Sequence, residues 1–192
     1  MKNNHEVEIR ALLNDKDRKF IFDKLLERGG VMKSEEILED IYWCPKATNS
    51  FEGIEMSGIG SYSLRTRKSG DGNCQLNVKV ITKKDDHNAW DEHEISISSC
   101  DEAAVILGTI GFKIFFSLKK HRYSFDIKPF TVLIEDIDDF GPILEVEILT
   151  DEALAAQAKK QITDFISELG VDSSKIVPKS VTNLLMKEKS KF

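Results

Sequence analysis

The stretch His-Glu-Val-Glu-Ile-Arg-Ala, residues 5–11, alternates polar or charged side chains with apolar ones. Because successive side chains of a β-strand point to opposite faces of the sheet, this pattern predicts a strand with one charged face. Six further segments have comparable patterns and are also predicted to be strands. They are residues 61–68, 74–81, 91–98, 117–125, 130–137 and 143–149.

Helices interrupt this series of strands. Residues 15–28 carry spaced apolar side chains and end at a Gly-Gly pair, which predicts a helix. A capping box of Ser99 and Glu102 predicts a second helix that ends near residue 110. Thr150 is predicted to cap a third helix over residues 151–169, and a short helix is predicted after Pro178. The least regular stretch, residues 44–60, is predicted to be a loop.

Composition limits the classes of function. The 192 residues carry 27 Lys and Arg against 33 Asp and Glu, a net charge of −6, which argues against nucleic acid as a general partner. No long apolar segment predicts a membrane span, and the start has no apolar core of a secretory signal. The three cysteines form no CxxC pair and are predicted to be reduced thiols of a cytoplasmic protein. We expect a single domain over residues 1–192, with a charged tail at about 187–192.

Common catalytic signatures are absent from the sequence. It contains no GxxxxGK[ST], no HExxH and no GxSxG, so a P-loop, a zinc-protease helix and a hydrolase nucleophile elbow are excluded.

The charges are sorted by strand. Acidic residues lie on the first, middle and last strands, and basic residues lie on the strands between them. One interpretation is that each charged face is a solvated face of an antiparallel sheet. The other is an α+β fold with a closed antiparallel barrel, a polar lumen and helices packed outside. Carboxylates two residues apart suit Mg²⁺ or Mn²⁺, and clustered Arg and Lys suit phosphate oxygens, so the second interpretation suggests a metal-bridged polyphosphate.

The ordered motifs resemble those of the CYTH family, which includes class IV adenylyl cyclases, thiamine triphosphatases and inorganic triphosphatases. Glu-Val-Glu-Ile-Arg at 6–10 is similar to the family's E-x-E-x-K, and Asp40–Trp43 is similar to D-x-Y-F. Leu-Arg-Thr-Arg at 64–67 matches L-R-x-R, and Lys-His-Arg at 120–122 resembles K-x-R. Glu-Val-Glu at 145–147 matches E-x-E, and the resemblance covers about residues 5 to 185.

The resemblance implies an eight-stranded triphosphate tunnel and assigns roles to charged residues. The implied ligands of Mg²⁺ or Mn²⁺ are Glu6, Glu8, Glu94, Glu135, Glu145 and Glu147. The implied phosphate-binding residues are Arg10, Arg65, Arg67, Lys79, Lys120, Arg122 and Lys179. Arg10 and Glu135 occupy the implied catalytic positions.

Three departures from the family pattern affect these roles. Arg10 replaces the lysine that is thought to activate water in hydrolytic relatives, and an arginine cannot act as a general base. Glu135 replaces an aspartate and is one methylene longer. Val181 stands where relatives often have tyrosine, which predicts a different cap over the tunnel.

The expected function is hydrolysis of the terminal phosphate of a small-molecule triphosphate: inorganic triphosphate, thiamine triphosphate or ATP. A class IV adenylyl cyclase, which forms cyclic AMP and pyrophosphate, is the alternative. A non-catalytic module that binds polyphosphate or nucleotide is a third hypothesis, and charges that serve only solubility are the fourth. Many members of the resembled family are dimers, so the resemblance allows a homodimer, but no feature of the sequence marks an interface, and the oligomeric state stays open.

Overall fold

The computed structural model describes residues 5–48, 61–81, 90–177 and 184–185. Its strands are β1 (His5–Leu12), β2 (Val31–Pro45), β3 (Tyr62–Ser69), β4 (Cys74–Ile81), β5 (Trp90–Ile97), β6 (Phe112–Ile127), β7 (Phe130–Ile137), β8 (Gly141–Thr150) and β9 (Ile176–Val177). Its α-helices are α1 (Asp15–Glu27), α2 (Cys100–Thr109) and α3 (Ala155–Glu168). Within the described ranges, no helix is long and apolar enough to cross a membrane.

The strands form one antiparallel sheet in the order β5-β4-β3-β2-β6-β7-β8-β1-β9. The predicted α+β class is therefore correct. The closed eight-stranded barrel is not confirmed: the sheet has nine strands, and its edges are β5 and β9, which do not pair with each other in the described part of the chain. Strand β9 pairs with β1 and occupies one of these edges. It has only two residues, and no alternating pattern in the sequence predicts it.

The chain divides into two compact units. The first unit consists of residues 1–36 and 120–180, and the second consists of residues 37–119 and 181–192. In the first unit, α1 and α3 pack on the apolar face of β1, β7 and β8. The residues at the centre of this core are fully buried, among them Leu25, Phe125, Leu144 and Ile162. Burial of each such side chain contributes about 1.5–3 kcal/mol to folding, so the apolar face fixes which way the charged face points.

The second unit contains β3, β4, β5, α2 and parts of β2 and β6. The ring of Tyr42 stacks on Phe116 with 4.5 Å between ring centroids. The indole Nε1 of Trp43 donates a hydrogen bond of 2.9 Å to the hydroxyl of buried Thr66. Tyr42 and Trp43 therefore hold β2 against β6 on one side and β3 on the other. Asp40 lies on β2, between these two neighbouring strands.

Several element predictions are confirmed and others are wrong. Helix α1 begins after Asn14, whose side chain accepts a hydrogen bond from the main-chain N–H of Asp17, and Ser99 caps α2 as predicted. Thr150 does not cap α3, because it belongs to β8 and pairs with His5, and a 3-10 turn precedes the helix. Cys44 lies in β2 rather than in a loop, and residues 49–60 of that predicted loop lie outside the described residues.

Candidate functional site

Glutamates of β1 and β8 form a carboxylate cluster in the first unit. The antiparallel register places Glu8 directly opposite Glu147 and Arg10 opposite Glu145. Oxygen atoms of Glu6, Glu8 and Glu147 lie within 4.8 Å of one another. Like charges directly opposite on neighbouring strands destabilise a sheet, so this arrangement requires a compensating proton or cation.

The surroundings of Glu147 disfavour a negative charge on its carboxylate. Burial, the charge of Glu145 and a hydrogen bond with it, and the charges of Glu6 and Glu8 raise the pKa of Glu147 to about 10. At neutral pH this carboxyl therefore holds a proton. A divalent cation can replace the proton, because it supplies positive charge to oxygen ligands. The three carboxylates of Glu6, Glu8 and Glu147 thus fit a hard cation such as Mg²⁺ or Mn²⁺.

Arg10 lies beside the same cluster. Its guanidinium forms ion pairs with Glu145 and, at 2.5 Å, with Glu8, which is only 2% exposed. Burial by itself lowers the pKa of Arg10, but the charges of Glu145 and Glu8 outweigh burial and raise it. Arg10 therefore stays protonated, and it supplies a fixed positive charge rather than a base.

Glu135 on β7 holds two cations of β6. The register places it opposite Arg122, whose Nε donates to its carboxylate at 2.5 Å, while Lys120 Nζ lies 2.7 Å from the same carboxylate oxygen. Burial raises the pKa of Glu135, but the charges of Arg122 and Lys120 outweigh it, so the net pKa lies below the ordinary value. Glu135 is thus an ionised carboxylate that positions both cations. The charge of Glu145 also acts on Glu135, which links this group to the carboxylate cluster.

A second charged group lies in the second unit and centres on Asp40, which is 0% exposed. Arg67 donates two hydrogen bonds to its carboxylate, at 2.6 Å and 2.8 Å, and Arg65 lies 3.6 Å from one of its oxygens. Asp40 therefore orients both arginines of the Leu-Arg-Thr-Arg segment. Bidentate pairing of this kind fixes the plane of a guanidinium as well as its position.

The predicted residues of β4 and β5 have other partners within the same unit. Lys79 lies opposite Glu92, with 3.1 Å between its Nζ and the carboxylate. Glu94 is exposed and accepts a hydrogen bond of 3.0 Å from Gln75. The assignments of Lys79 to phosphate and of Glu94 to metal stay predictions.

Comparison with known proteins places the chain in a family. The model of the CYTH domain matches residues 4–181. The chain belongs to the CYTH family. A curated relative named adenylate cyclase CyaB, from Aeromonas hydrophila, is 30% identical over 91 residues. That match covers 47% of this chain and 48% of the relative, so only about half of the relative's length is matched.

Solved structures share the fold of this CYTH chain. The PH1819 protein of Pyrococcus horikoshii is 26% identical, with a TM-score of 0.78, and the match covers 96% of this chain and 99% of that one. A Hippeastrum protein, named as a candidate adenylyl cyclase with a dominant triphosphatase activity, is 14% identical with a TM-score of 0.67. That match covers 97% of this chain and 96% of the other and shows the fold alone.

The structure of this CYTH chain brings together eight of the predicted site residues in its first unit. They are Glu6, Glu8, Arg10, Lys120, Arg122, Glu135, Glu145 and Glu147. Lys179 and Val181 lie outside the described residues. Sequence reasoning treated Asp40 only as part of a motif. The spacing carried a signal, because Asp40 lies two residues from both Leu38 and Tyr42 and therefore shares one strand face with these apolar side chains. All three side chains are buried, and an acid on a buried face needs a cationic partner.

Proposed function

We propose that this chain is a metal-dependent phosphohydrolase that removes the terminal phosphate of a small-molecule triphosphate. The observation behind the proposal is the carboxylate cluster of β1 and β8, in which oxygen atoms of Glu6, Glu8 and Glu147 lie within 4.8 Å of one another. Carboxylate oxygens this close together are suited to bind a hard divalent cation.

The residues of the first unit divide into two roles. Glu6, Glu8, Glu145 and Glu147 would hold Mg²⁺ or Mn²⁺, which when bound neutralises phosphate charge and polarises phosphate oxygens. Basic side chains near them would bind phosphate oxygens; they are Arg10, Lys120 and Arg122. Glu135 keeps two of these cations in place before substrate arrives, which preorganises the positive charge.

Three further cations are proposed to bind phosphate in the second unit. They are Arg65, Arg67 and Lys79. The Nε and one Nη atom of Arg67 both donate hydrogen bonds to the carboxylate of Asp40. The protein therefore fixes the position of this guanidinium before any ligand binds.

Arg10 in place of a lysine does not exclude hydrolysis. Phosphoryl transfer proceeds through a loose transition state in most analyses, and positioning and charge stabilisation supply most of the catalysis. Arg10 contributes both, because its two glutamate partners fix the guanidinium and keep it charged. Arg10 does not activate water as a base, because its guanidinium stays protonated.

A class IV adenylyl cyclase is the second candidate. The observation in its favour is the Aeromonas relative, which is named an adenylate cyclase. In that reaction the ribose 3′-hydroxyl attacks the α-phosphate and pyrophosphate leaves. Arg67 and Glu147 favour the hydrolase, because the second arginine of L-R-x-R and the second glutamate of E-x-E are typical of triphosphatase members.

The assay that tests the proposal measures products from three substrates. We expect the chain with Mn²⁺ or Mg²⁺ to release phosphate from inorganic triphosphate, thiamine triphosphate or ATP. Glu8→Gln keeps the shape of a buried side chain and removes its charge, and we expect it to lower kcat/KM by about a hundredfold or more. Glu27→Gln, on the exposed side of α1, is the matched control and keeps full activity.

Product identity separates the candidates. Pyrophosphate with cyclic AMP from ATP would replace the hydrolase with the cyclase. Binding of triphosphate without any product would leave a binding module. Equal activity of Glu8→Gln and the wild type would contradict the role given to the carboxylate cluster.

A further inference from the structure

Helix α2 of the second unit exposes apolar side chains. The helix packs on β3 and β4, and its buried side chains are Ala103 and Leu107. The side chains of Val105, Ile106 and Ile110 are nonetheless 63%, 58% and 64% exposed. A helix that is apolar on all sides is normally buried on all sides, so the exposed side of α2 is suited to contact with another molecule.

Thr109 lies on the same exposed side of α2. Its hydroxyl donates a hydrogen bond of 2.8 Å to the main-chain oxygen of Val105, one turn earlier in the helix. Because the helix itself satisfies this hydroxyl, a partner that covers Thr109 does not have to supply an acceptor for it. Together with Val105, Ile106 and Ile110, Thr109 forms an apolar surface, the α2 face.

Charges of opposite sign flank the two ends of the α2 face. Asp101 and Glu102 lie in the first turn of α2, are exposed and form no ion pair within the described part of the chain. At the other end, Lys46 Nζ donates a hydrogen bond of 2.6 Å to the main-chain oxygen of Gly108. The main-chain N–H of Lys46 also donates to the oxygen of Gly111, at 2.8 Å, which holds this lysine at the end of the helix.

We propose that the α2 face binds a second copy of this chain, with the two α2 helices packed antiparallel about a two-fold axis. Such a contact joins the same surface of both copies, so the surface must be complementary to itself. The antiparallel arrangement brings Asp101 and Glu102 of one copy to Lys46 of the partner subunit, with the apolar residues between them. A parallel arrangement would set acids against acids, which is unfavourable.

Composition and size indicate what kind of contact this is. Helices that bind a membrane surface carry Lys and Arg on their polar side, whereas the ten residues of α2 include two acids and no basic residue. One side of a short helix is also smaller than the interface of a typical stable complex. We therefore expect a weak dimer whose fraction rises with concentration, and this contact does not depend on the proposed reaction.

Sedimentation equilibrium of the full chain, from micromolar to submillimolar concentration, tests the proposal. We expect a monomer–dimer equilibrium for the wild type. Ile106→Glu places a charge within the apolar face and is expected to weaken dimerisation by about tenfold or more. Leu154→Glu, at a leucine of the first unit that is 49% exposed, is the matched control and is expected to dimerise like the wild type.

Charge reversal tests the antiparallel arrangement without relying on Ile106→Glu. The variant that carries both Asp101→Lys and Glu102→Lys is expected to dimerise more weakly than the wild type, and so is Lys46→Glu, because each sets like charges together. An equimolar mixture of these two variants is expected to recover association, since unlike charges then meet at both ends of the contact. Thermal unfolding of each variant checks that it is folded.

The same measurements define the opposite outcomes. A wild-type chain that stays monomeric over the whole range, or a dimer that Ile106→Glu leaves unchanged, would overturn the proposal. A mixture that associates no better than its separate components would overturn the antiparallel arrangement. Binding of a monomeric chain to vesicles of phosphatidylcholine and phosphatidylserine, lost in Ile106→Glu, would assign the α2 face to a membrane instead.

Discussion

Glu147→Gln is expected to stabilise the chain in a metal chelator at pH 8 and to abolish its stabilisation by Mn²⁺. In the folded chain the pKa of Glu147 is raised from its ordinary 4.5 to about 10, first by burial and then by the charges of neighbouring glutamates. An unfolded chain loses this proton near pH 4.5. The free energy of unfolding contributed by Glu147 therefore falls as the pH rises from about 4.5 to about 10.

Glutamine is neutral at every pH and avoids this loss. At pH 8 we expect the free energy of unfolding of Glu147→Gln to exceed that of the wild type by a few kcal/mol, which corresponds to a Tm higher by about 5 °C or more. Thermal unfolding from pH 5 to pH 9 checks the sign, because the advantage of the variant should grow with pH.

The same substitution is expected to remove the increase in Tm that Mn²⁺ causes. Mn²⁺ at saturating concentration is expected to raise the Tm of the wild type, since a ligand that binds only the folded state stabilises it. The variant should show little of this increase. Glu27→Gln, on the exposed side of α1, should match the wild type in both measurements. A variant that is less stable in chelator and still responds fully to Mn²⁺ would contradict the assignment of Glu147.

Asp40→Asn is expected to destabilise the chain strongly. Asp40 is fully buried and accepts two hydrogen bonds from Arg67, with Arg65 close to the same carboxylate. Removing one partner of a buried ion pair leaves a buried charge without compensation, which costs about 3–5 kcal/mol. We expect a Tm lower by about 6–20 °C in a chain of this size.

A double-mutant cycle separates the pair from other effects of the substitution. The combination of Asp40→Asn with Arg67→Gln should be less destabilised than the sum of the two single variants, because it removes both charges. Glu39→Gln is the control on the same strand, since Glu39 is exposed and lies 3.6 Å from exposed Lys119. We expect it to stay within about 0.5 kcal/mol of the wild type. Additive single effects would show that Asp40 and Arg67 are not coupled.

The alternating segments were predictable because their signal is local. The strand of residues 5–12, and with it the charged face of Glu6, Glu8 and Arg10, follows from a period of two and from the burial of the opposite face. The resemblance then assigned these residues to one site, and the register of β1 on β8 brings them to the carboxylates of Glu145 and Glu147.

Features that depend on pairing between strands far apart in the sequence could not be predicted from local patterns. Thr150 has the composition of a helix cap, but its pairing with His5 keeps it in the sheet, so α3 begins five residues later. Whether a sheet closes depends on the partners of its edge strands, and the charge pattern of a strand carries no information about them. The role of Asp40 emerged only when the register placed it opposite Arg67.

In the proposed reaction, water attacks the terminal phosphorus of a bound triphosphate, and an isotope label in the water follows that step. The chain is incubated with ATP and Mn²⁺ in water labelled with ¹⁸O, and the products are analysed by mass spectrometry. We expect one ¹⁸O atom in the released inorganic phosphate and none in the nucleoside diphosphate. Unlabelled pyrophosphate together with cyclic AMP would contradict it.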